Sequence, residues 1–570
     1  MKPFPLALAT LLTACTPLAT GPGPEGAAAE PLMDVEPTAR AFVTDWEARL
    51  APLARSLALA SWKAMNDGDS AAYEEAARLD LEIRRMASDR ASFQRLQAWK
   101  DHPDLQDPIL RRQVEIAWET FAANQVDPAL LEKTVALASE VEQAFNTFRG
   151  KVGDQEISSN EIYAVLGQST DSAERRAAWE ASKQVGPLVA ARVIELAKLR
   201  NQAAREVGFR TFWEMQLTLG EQDPAAVTAL FDEMAQDTRE PFLQVKADLD
   251  RVLAARLKVK PADLEPWHYA DPFFQEAPSI SEVDLDTLYA GKDVRALVEG
   301  FYTSIGLETA PILDRSDLFA RPGKQPHAFC NHLDREGDVR ISANLESNEQ
   351  WVGTLLHELG HGVYDANLDF TLPWSLRMPA HTFTTEAVAE LFGRLSKDPE
   401  FIVRAAGVPR ERVTPLSEDL RRTRRLQALV FARWSAVMVH FERSFYEDPD
   451  QDLDTLWWDL VERYQGLTRP EGRAAPDWAA KIHVVTVPAY YHNYLMGEML
   501  ASQILNALSH DVLGGAQADG GTLWGNPEVG RWMIQHLFQP GARWRWEEFV
   551  ERATEDTLSP RYFAEEFVQG

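Results

Sequence analysis

The spacing of apolar residues constrains this chain more than any other feature of its sequence. From about Pro37 onward, apolar residues recur mostly at intervals of three and four, as in Leu426, Val430, Trp434 and Val437. This interval places side chains on one face of an α-helix. The sequence therefore predicts an all-α fold built from many amphipathic helices.

The length and composition indicate one large domain. The chain has 570 residues, of which 45% are hydrophobic, which is enough apolar material for an extensive core. No internal repeat or low-complexity linker interrupts residues 40–570, so we assign residues 39–570 to one domain with two lobes around a deep central cleft. The alternating segment 337–343 predicts the one small antiparallel β element, with residues 327–333 as its partner strand.

The charge balance excludes several classes of partner. The chain carries 58 Lys and Arg against 87 Asp and Glu, a net charge of −29. Such an anion repels phosphate backbones and acidic lipid headgroups, which argues against nucleic-acid binding. The two cysteines exclude a disulfide scaffold. No stretch approaches the ~20 apolar residues of a membrane-spanning helix.

The N-terminus predicts export. Residues 1–14 combine a short cationic start with an apolar core, as in a signal peptide, and the ending at Cys15 looks like a bacterial lipobox. Residues 15–38 would then be a flexible tether, and a lipid on Cys15 would be the sole membrane attachment, on an envelope protein facing the periplasm. The alternative is an ordinary secretory signal. In an exported protein, we expect Cys330 to be a buried, inert thiol.

The most informative motif is a pair of histidines one helical turn apart. His357 and His361 would project from the same face of a helix and reach one metal ion, while Glu358 lies beside them without ligating. The alternative is two structural histidines on an ordinary helix. The motif predicts a zinc site that needs a third protein ligand.

A later helix offers that ligand. Glu386 and Glu390 are one turn apart on an otherwise apolar segment that Thr384 or Thr385 would cap. Zinc would satisfy one carboxylate, and a hydrogen bond to a ligand histidine would satisfy the other. His381 is a competing ligand in a proline-rich loop.

Tyrosines and histidines cluster further along, around His483, Tyr491 and Tyr494. By themselves they would be ordinary core or surface aromatics. Beside a zinc hydrolase, a tyrosine hydroxyl or an imidazolium could stabilise the negative charge that develops when water attacks a carbonyl.

Taken together, these segments resemble the angiotensin-converting enzyme family of zinc peptidyl-dipeptidases. The resemblance covers most of residues 40–570 in matching order. Besides the zinc motif, it rests on residues 194–196, 201–204, 327–328, 338–341, 386–390, 464–466 and 481–483, with Tyr491 and Tyr494. It implies a mostly helical ellipsoid with a deep channel, one Zn²⁺ per chain and oligopeptide substrates. We expect a monomer.

The resemblance also implies residue roles around the metal. His357, His361 and Glu386 would be the zinc ligands. Glu358 would act as general base and then as proton donor, and Glu390 would support a ligand histidine.

Further roles implied by the resemblance concern the substrate. His483 and Tyr494 would stabilise the oxyanion. The substrate-binding positions would be Lys481 and Tyr491 for the terminal carboxylate, and His327 and Ala328 for the peptide backbone. A carboxylate-binding glutamine of the family should lie near residues 267–275, but the sequence does not identify it.

Several positions depart from the family pattern. Thr385 replaces a histidine, and Glu390 replaces an aspartate. Val461 and Asn493 stand where the family has chloride-binding arginines, which argues against chloride activation. The alternatives are a related helical zinc oligopeptidase with endo- or carboxypeptidase action, or an inactive peptide-binding lipoprotein.

Overall fold

A computed structural model of the chain describes residues 35–278 and 284–568. The predicted signal peptide and Cys15 lie outside these ranges. The first helix begins at Val35, so residues 35–38, which we assigned to the tether, form its first turn. Among the described helices, none combines the length and the apolar character needed to cross a membrane.

The prediction of an all-α fold is confirmed, since helices dominate both described ranges. Many begin where an aspartate precedes a proline, as at Asp107, Asp127, Asp223 and Asp398. Each of these carboxylates accepts a hydrogen bond from a backbone N–H of the first turn, and proline is favoured at the first helical position because it lacks the N–H that would go unpaired there.

The helices are, in chain order, α1 Val35–Asp67, α2 Ser70–Ala87, α3 Arg90–Lys100, α4 Pro108–Ala122, α5 Pro128–Thr147, α6 Ser159–Gln168, α7 Ser172–Lys183, α8 Val185–Glu206, α9 Phe212–Leu219, α10 Pro224–Asp237, α11 Arg239–Leu257, α12 Asp286–Tyr289, α13 Val294–Ser304, α14 Ala310–Leu313, α15 Glu349–Ala366, α16 Thr382–Gly393, α17 Pro399–Arg404, α18 Arg410–Val413, α19 Ser417–Glu447, α20 Leu453–Gln465, α21 His483–Thr486, α22 His492–Asp511, α23 Gly520–Leu523, α24 Pro527–Met533, α25 Trp546–Thr554 and α26 Pro560–Val568.

The described residues form two small antiparallel sheets, one more than predicted. The expected one pairs β3 Phe329–His332 with β4 Val339–Ser342. The other pairs β1 Gly150–Val152 with β2 Gln155–Ile157. The sequence feature that marks this hairpin is the two-residue turn that starts at Gly153, which has a φ of +60°. Strands of three residues are too short to show alternation, so the pattern missed them.

Three helices, α15, α16 and α22, pack together in the core, and glycines permit their close approach. A Cβ on Gly360 of α15 would lie 2.7 Å from the Cα of Ala389 on α16. A Cβ on Gly497 of α22 would lie 3.1 Å from the Cβ of Glu386 on α16. This packing fixes the separation of the helices that carry the candidate ligands. The two-lobed shape with a cleft stays a prediction.

Candidate metal centre

Helix α15 carries the histidine pair. The side chain of Asn348 caps the helix by accepting a hydrogen bond from the Trp351 N–H at 2.9 Å. Val352 and Leu355 are buried on the apolar side of the helix. His357 and His361 share the opposite face, and their Nε2 atoms lie 3.3 Å apart.

The carboxylate of Glu386 meets the histidine pair from α16. Its Oε2 lies 3.7 Å from His357 Nε2 and 3.9 Å from His361 Nε2. Zinc bonds of 2.0–2.2 Å in a tetrahedral arrangement require ligand atoms about 3.4 Å apart, so these separations fit the ion. We call His357, His361 and Glu386 the metal-ligand group. Two imidazoles and one carboxylate form a donor set of catalytic zinc sites, with the fourth position open.

Outer contacts orient the two imidazoles. His361 Nδ1 is hydrogen-bonded to Thr385 Oγ1 at 2.8 Å, and His357 Nδ1 lies 3.9 Å from Glu390 Oε1. These contacts distinguish the roles of the two glutamates, which the helical spacing alone left open. Glu386 faces the Nε2 atoms of the histidines, whereas Glu390 faces an Nδ1 atom. Such partners fix ring orientation and raise ligand basicity. The hydroxyl of Thr385 was missed as a partner, because at sequence level it was only a departure from the family pattern.

His381 is a helix cap and is not part of the metal-ligand group. Its Nε2–H donates to the Gly220 carbonyl at 2.8 Å, and its Nδ1 accepts from the Phe383 N–H at 3.2 Å. Helix α16 therefore begins at Thr382. The predicted cap at Thr384 or Thr385 is wrong, because histidine can supply the acceptor as the usual short polar residues do.

Glu358 lies on the side of α15 that faces β3. Its side chain is buried, and it accepts a hydrogen bond from the Cys330 backbone N–H. Burial raises the pKa of Glu358 to about 8, although that hydrogen bond opposes the shift. A carboxyl group whose pKa lies near neutral pH can both accept and return a proton.

An aromatic wall next to these helices consists of the rings of His483, Tyr491 and Tyr494. The ring of Tyr491 lies 5.5 Å from that of His483 and 5.3 Å from that of Tyr494. Burial, and to a smaller extent the charge of Lys481, lowers the pKa of His483 to about 2, so its imidazole is neutral. Burial raises the pKa of Tyr494 well above its usual value, so its hydroxyl stays protonated. Both side chains can donate a hydrogen bond.

Lys481 is buried among polar and aromatic side chains. Its Nζ donates to Gln275 Oε1 at 2.5 Å and lies 5.0 Å and 5.3 Å from the ring centres of Trp434 and Phe273. The Tyr491 hydroxyl accepts from Trp434 Nε1 at 2.6 Å. We call these five residues the Lys481 pocket. Gln275 is the one glutamine within residues 267–275, the segment near which we expected a carboxylate-binding glutamine.

The electrostatics of the Lys481 pocket favour an anionic ligand. Burial lowers the pKa of Lys481 to about 8, against the opposing influence of Asp271 and Glu276. Within the described ranges, no carboxylate lies within salt-bridge distance of its Nζ, and its hydrogen-bond acceptor is a neutral amide. A buried ammonium without an ionic partner is costly, and a bound carboxylate would relieve that cost.

His327 and Ala328 directly precede β3. Strand β4 pairs with β3 on one side and bridges to Asp317 on the other. The His327 carbonyl accepts a hydrogen bond from Gln325 Nε2 at 3.2 Å. The two residues thus enter the strand whose Cys330 N–H contacts Glu358. Burial raises the pKa of the Cys330 thiol well above its usual value.

Comparison with protein families identifies relatives of the chain. The family model described as angiotensin-converting enzyme matches residues 33–250 and 273–565 of the chain. These spans contain the metal-ligand group and the whole Lys481 pocket. A search of curated proteins found no match.

Proposed function

The chain belongs to the angiotensin-converting enzyme family, whose members are zinc-dependent peptidases, and we propose that it releases dipeptides from the C-termini of oligopeptides. The observation that carries this proposal is the buried Lys481 ammonium, whose hydrogen-bond partner is the neutral Gln275 amide. Such a group would hold the terminal carboxylate of a peptide. A fixed cation of this kind measures substrate length from the C-terminus.

The metal-ligand group would hold one Zn²⁺, which supplies Lewis-acid polarisation of the scissile carbonyl and activation of water. Glu358 lies next to the ligand His357 in sequence and on the side of α15 that faces β3. Its carboxylate would accept a proton from the attacking water and then return it to the leaving amine.

The aromatic wall would stabilise the charge that develops on the carbonyl oxygen. The protonated hydroxyl of Tyr494 and the neutral imidazole of His483 are fixed by ring packing against Tyr491. Because burial keeps both as hydrogen-bond donors, neither needs to reorganise when the oxyanion forms.

The Lys481 pocket would set the position of cleavage. Lys481, Gln275 and Tyr491 would surround the terminal carboxylate, and the aromatic walls would strengthen the attraction by excluding water. His327 and Ala328 would pair with the substrate backbone, as peptides add to exposed strand edges.

Product analysis tests this proposal. The zinc-loaded protein is incubated with a defined decapeptide and with its C-terminally amidated form, and the products are identified by mass spectrometry. We expect successive dipeptides from the free acid and much slower cleavage of the amide. Internal fragments would indicate endopeptidase action, single amino acids would indicate carboxypeptidase action, and intact peptide would indicate a binding protein. Each of these three outcomes contradicts the proposal.

A further inference from the structure

The turn between α9 and α10 touches the starts of two helices of the candidate site. The Gly220 carbonyl accepts from His381, which caps α16. Two residues later, the Gln222 side chain reaches the first turn of α22. Helix α16 carries the ligand Glu386, and α22 carries Tyr494.

The Gln222 amide makes two buried hydrogen bonds to the first two residues of α22, and its Nε2 also donates to Met496 Sδ on that helix at 3.5 Å. Its Oε1 accepts from His492 Nε2 at 2.7 Å, and its Nε2 donates to Asn493 Oδ1 at 2.9 Å. The three side chains are each at most 5% exposed. Both partners directly precede Tyr494 in the chain.

Helix α22 lacks the usual device for fixing its start. Its N-cap residue is Tyr491, and no side chain at that position accepts a hydrogen bond from the first turn. The bonds from Gln222 to the first two residues of the helix therefore hold a turn that has no side-chain cap of its own.

The turn that carries Gln222 is itself held firmly. Glu221 adopts a left-handed φ of +60°, a conformation that is unfavourable for a residue other than glycine. Its carboxylate binds the buried guanidinium of Arg112, with Nη2 to Oε2 at 2.8 Å, and its carbonyl accepts from Trp546 Nε1 at 2.8 Å. These contacts stabilise the left-handed conformation and fix the direction of the next side chain.

We propose that Gln222 is a positioning residue that holds the Tyr494 hydroxyl in register with the metal-ligand group. Gln222 acts through His492 and Asn493. The inference rests on the proposed peptidase function, in which Tyr494 stabilises the oxyanion. Because the same turn binds the cap of α16, it fixes the first turns of α16 and α22 relative to each other.

The first experiment separates the hydrogen bonds from the volume that they occupy. Gln222→Met keeps most of the side-chain volume and removes both bonds. We expect kcat to fall about 10- to 100-fold with KM within about twofold and zinc stoichiometry unchanged, because only transition-state contacts weaken. The matched control is Gln503→Met, at a buried glutamine on α22 itself, whose Nε2 donates to Thr554 Oγ1 at 2.8 Å. This control should leave kcat unchanged.

A double-mutant cycle tests whether the effect passes through Tyr494. If Gln222 acts only by positioning that hydroxyl, Gln222→Met should reduce kcat no further in a Tyr494→Phe background. Full additivity of the two losses, or an unchanged kcat in Gln222→Met alone, would overturn the proposal.

A structural measurement separates this inference from the proposed function. Crystal structures of the metal-free wild-type protein and of Gln222→Met require no activity. We expect the variant to lose the packing of Tyr494 on Tyr491, whose ring centres lie 5.3 Å apart. An unchanged Tyr494 would overturn the inference. A displaced Tyr494 in a protein whose wild type cleaves no peptide would support the positioning role and refute the peptidase function alone.

Discussion

The metal-ligand group and the Lys481 pocket are built in different ways. The first takes its three ligands from two neighbouring helices, with both histidines one turn apart on α15. The second joins Lys481 to Gln275, which is 206 positions away, and both residues lie outside helices and strands. Helical spacing therefore determines the metal site, whereas the pocket depends on how distant loops pack against aromatic side chains.

This difference predicts that substitutions in the two regions impair activity in different ways. A change in the metal-ligand group or its base should affect every substrate equally, because all substrates share the scissile bond. A change in the Lys481 pocket should affect only substrates with a free terminal carboxylate. Comparing free-acid and amidated forms of one peptide distinguishes the two regions.

The largest effect is expected for Glu358→Gln. The amide cannot accept the proton, so kcat should fall roughly 1,000-fold for free-acid and amidated peptides alike. Zinc stoichiometry, measured by mass spectrometry of the metal, should not change. Glu349→Gln, in the first turn of the same helix, is the matched control and should retain activity. Substantial activity in Glu358→Gln would remove this residue from the mechanism.

Lys481→Ala should produce the next largest effect. Removing the buried ammonium should lower kcat/KM for the free-acid peptide about 100-fold and for its amide less than about threefold. Lys246→Ala removes another buried lysine, which pairs with Asp250 at 2.8 Å, and should leave the ratio of the two rates unchanged. Equal losses on the free acid and the amide would show that Lys481 does not bind the carboxylate.

The pH dependence should also separate the two regions. Burial lowers the pKa of Lys481 to about 8, so the ammonium is present below that pH and is lost as the pH rises through it. The ratio of kcat/KM for the free acid to that for the amide should therefore fall about tenfold per pH unit above 8. Changes in protonation near the metal affect the rates for both substrates equally and therefore cancel in this ratio. A flat ratio from pH 7 to 10 would contradict the role of Lys481.

The smallest effect concerns the spacing of the metal helices. In Gly360→Ala the new Cβ would lie 2.7 Å from the Cα of Ala389, so α15 and α16 must separate, and the free energy of unfolding should fall by about 1–3 kcal/mol. Gly362→Ala on the same helix meets Ile312 at 3.4 Å, an ordinary contact, and should be tolerated. Denaturant unfolding of both variants measures this difference. Equal stability would show that the close approach is not required.

The sequence predicted the parts of the site that helix periodicity fixes. His357 and His361 are one turn apart on α15, Glu386 and Glu390 are one turn apart on α16, and the β3–β4 hairpin was visible as an alternating segment. The sequence did not predict the bond from Lys481 to Gln275 or the bond between Thr385 and His361. Both contacts depend on tertiary packing, which leaves no local pattern.

Helix boundaries show the same limit of prediction from the sequence. Aspartate followed by proline marks several helix starts in the sequence. The start of α16 was misplaced because its cap is His381, a residue type that is not a usual cap. The start of α22 is held by Gln222, which belongs to another part of the chain.

Anomalous diffraction from zinc-loaded crystals tests the central claim most directly. We expect one strong peak per chain at the zinc absorption edge, within about 2.0–2.2 Å of His357 Nε2, His361 Nε2 and a Glu386 carboxylate oxygen. A peak bound to other side chains, or no peak at saturating zinc, would contradict the claim that these three residues form the metal site.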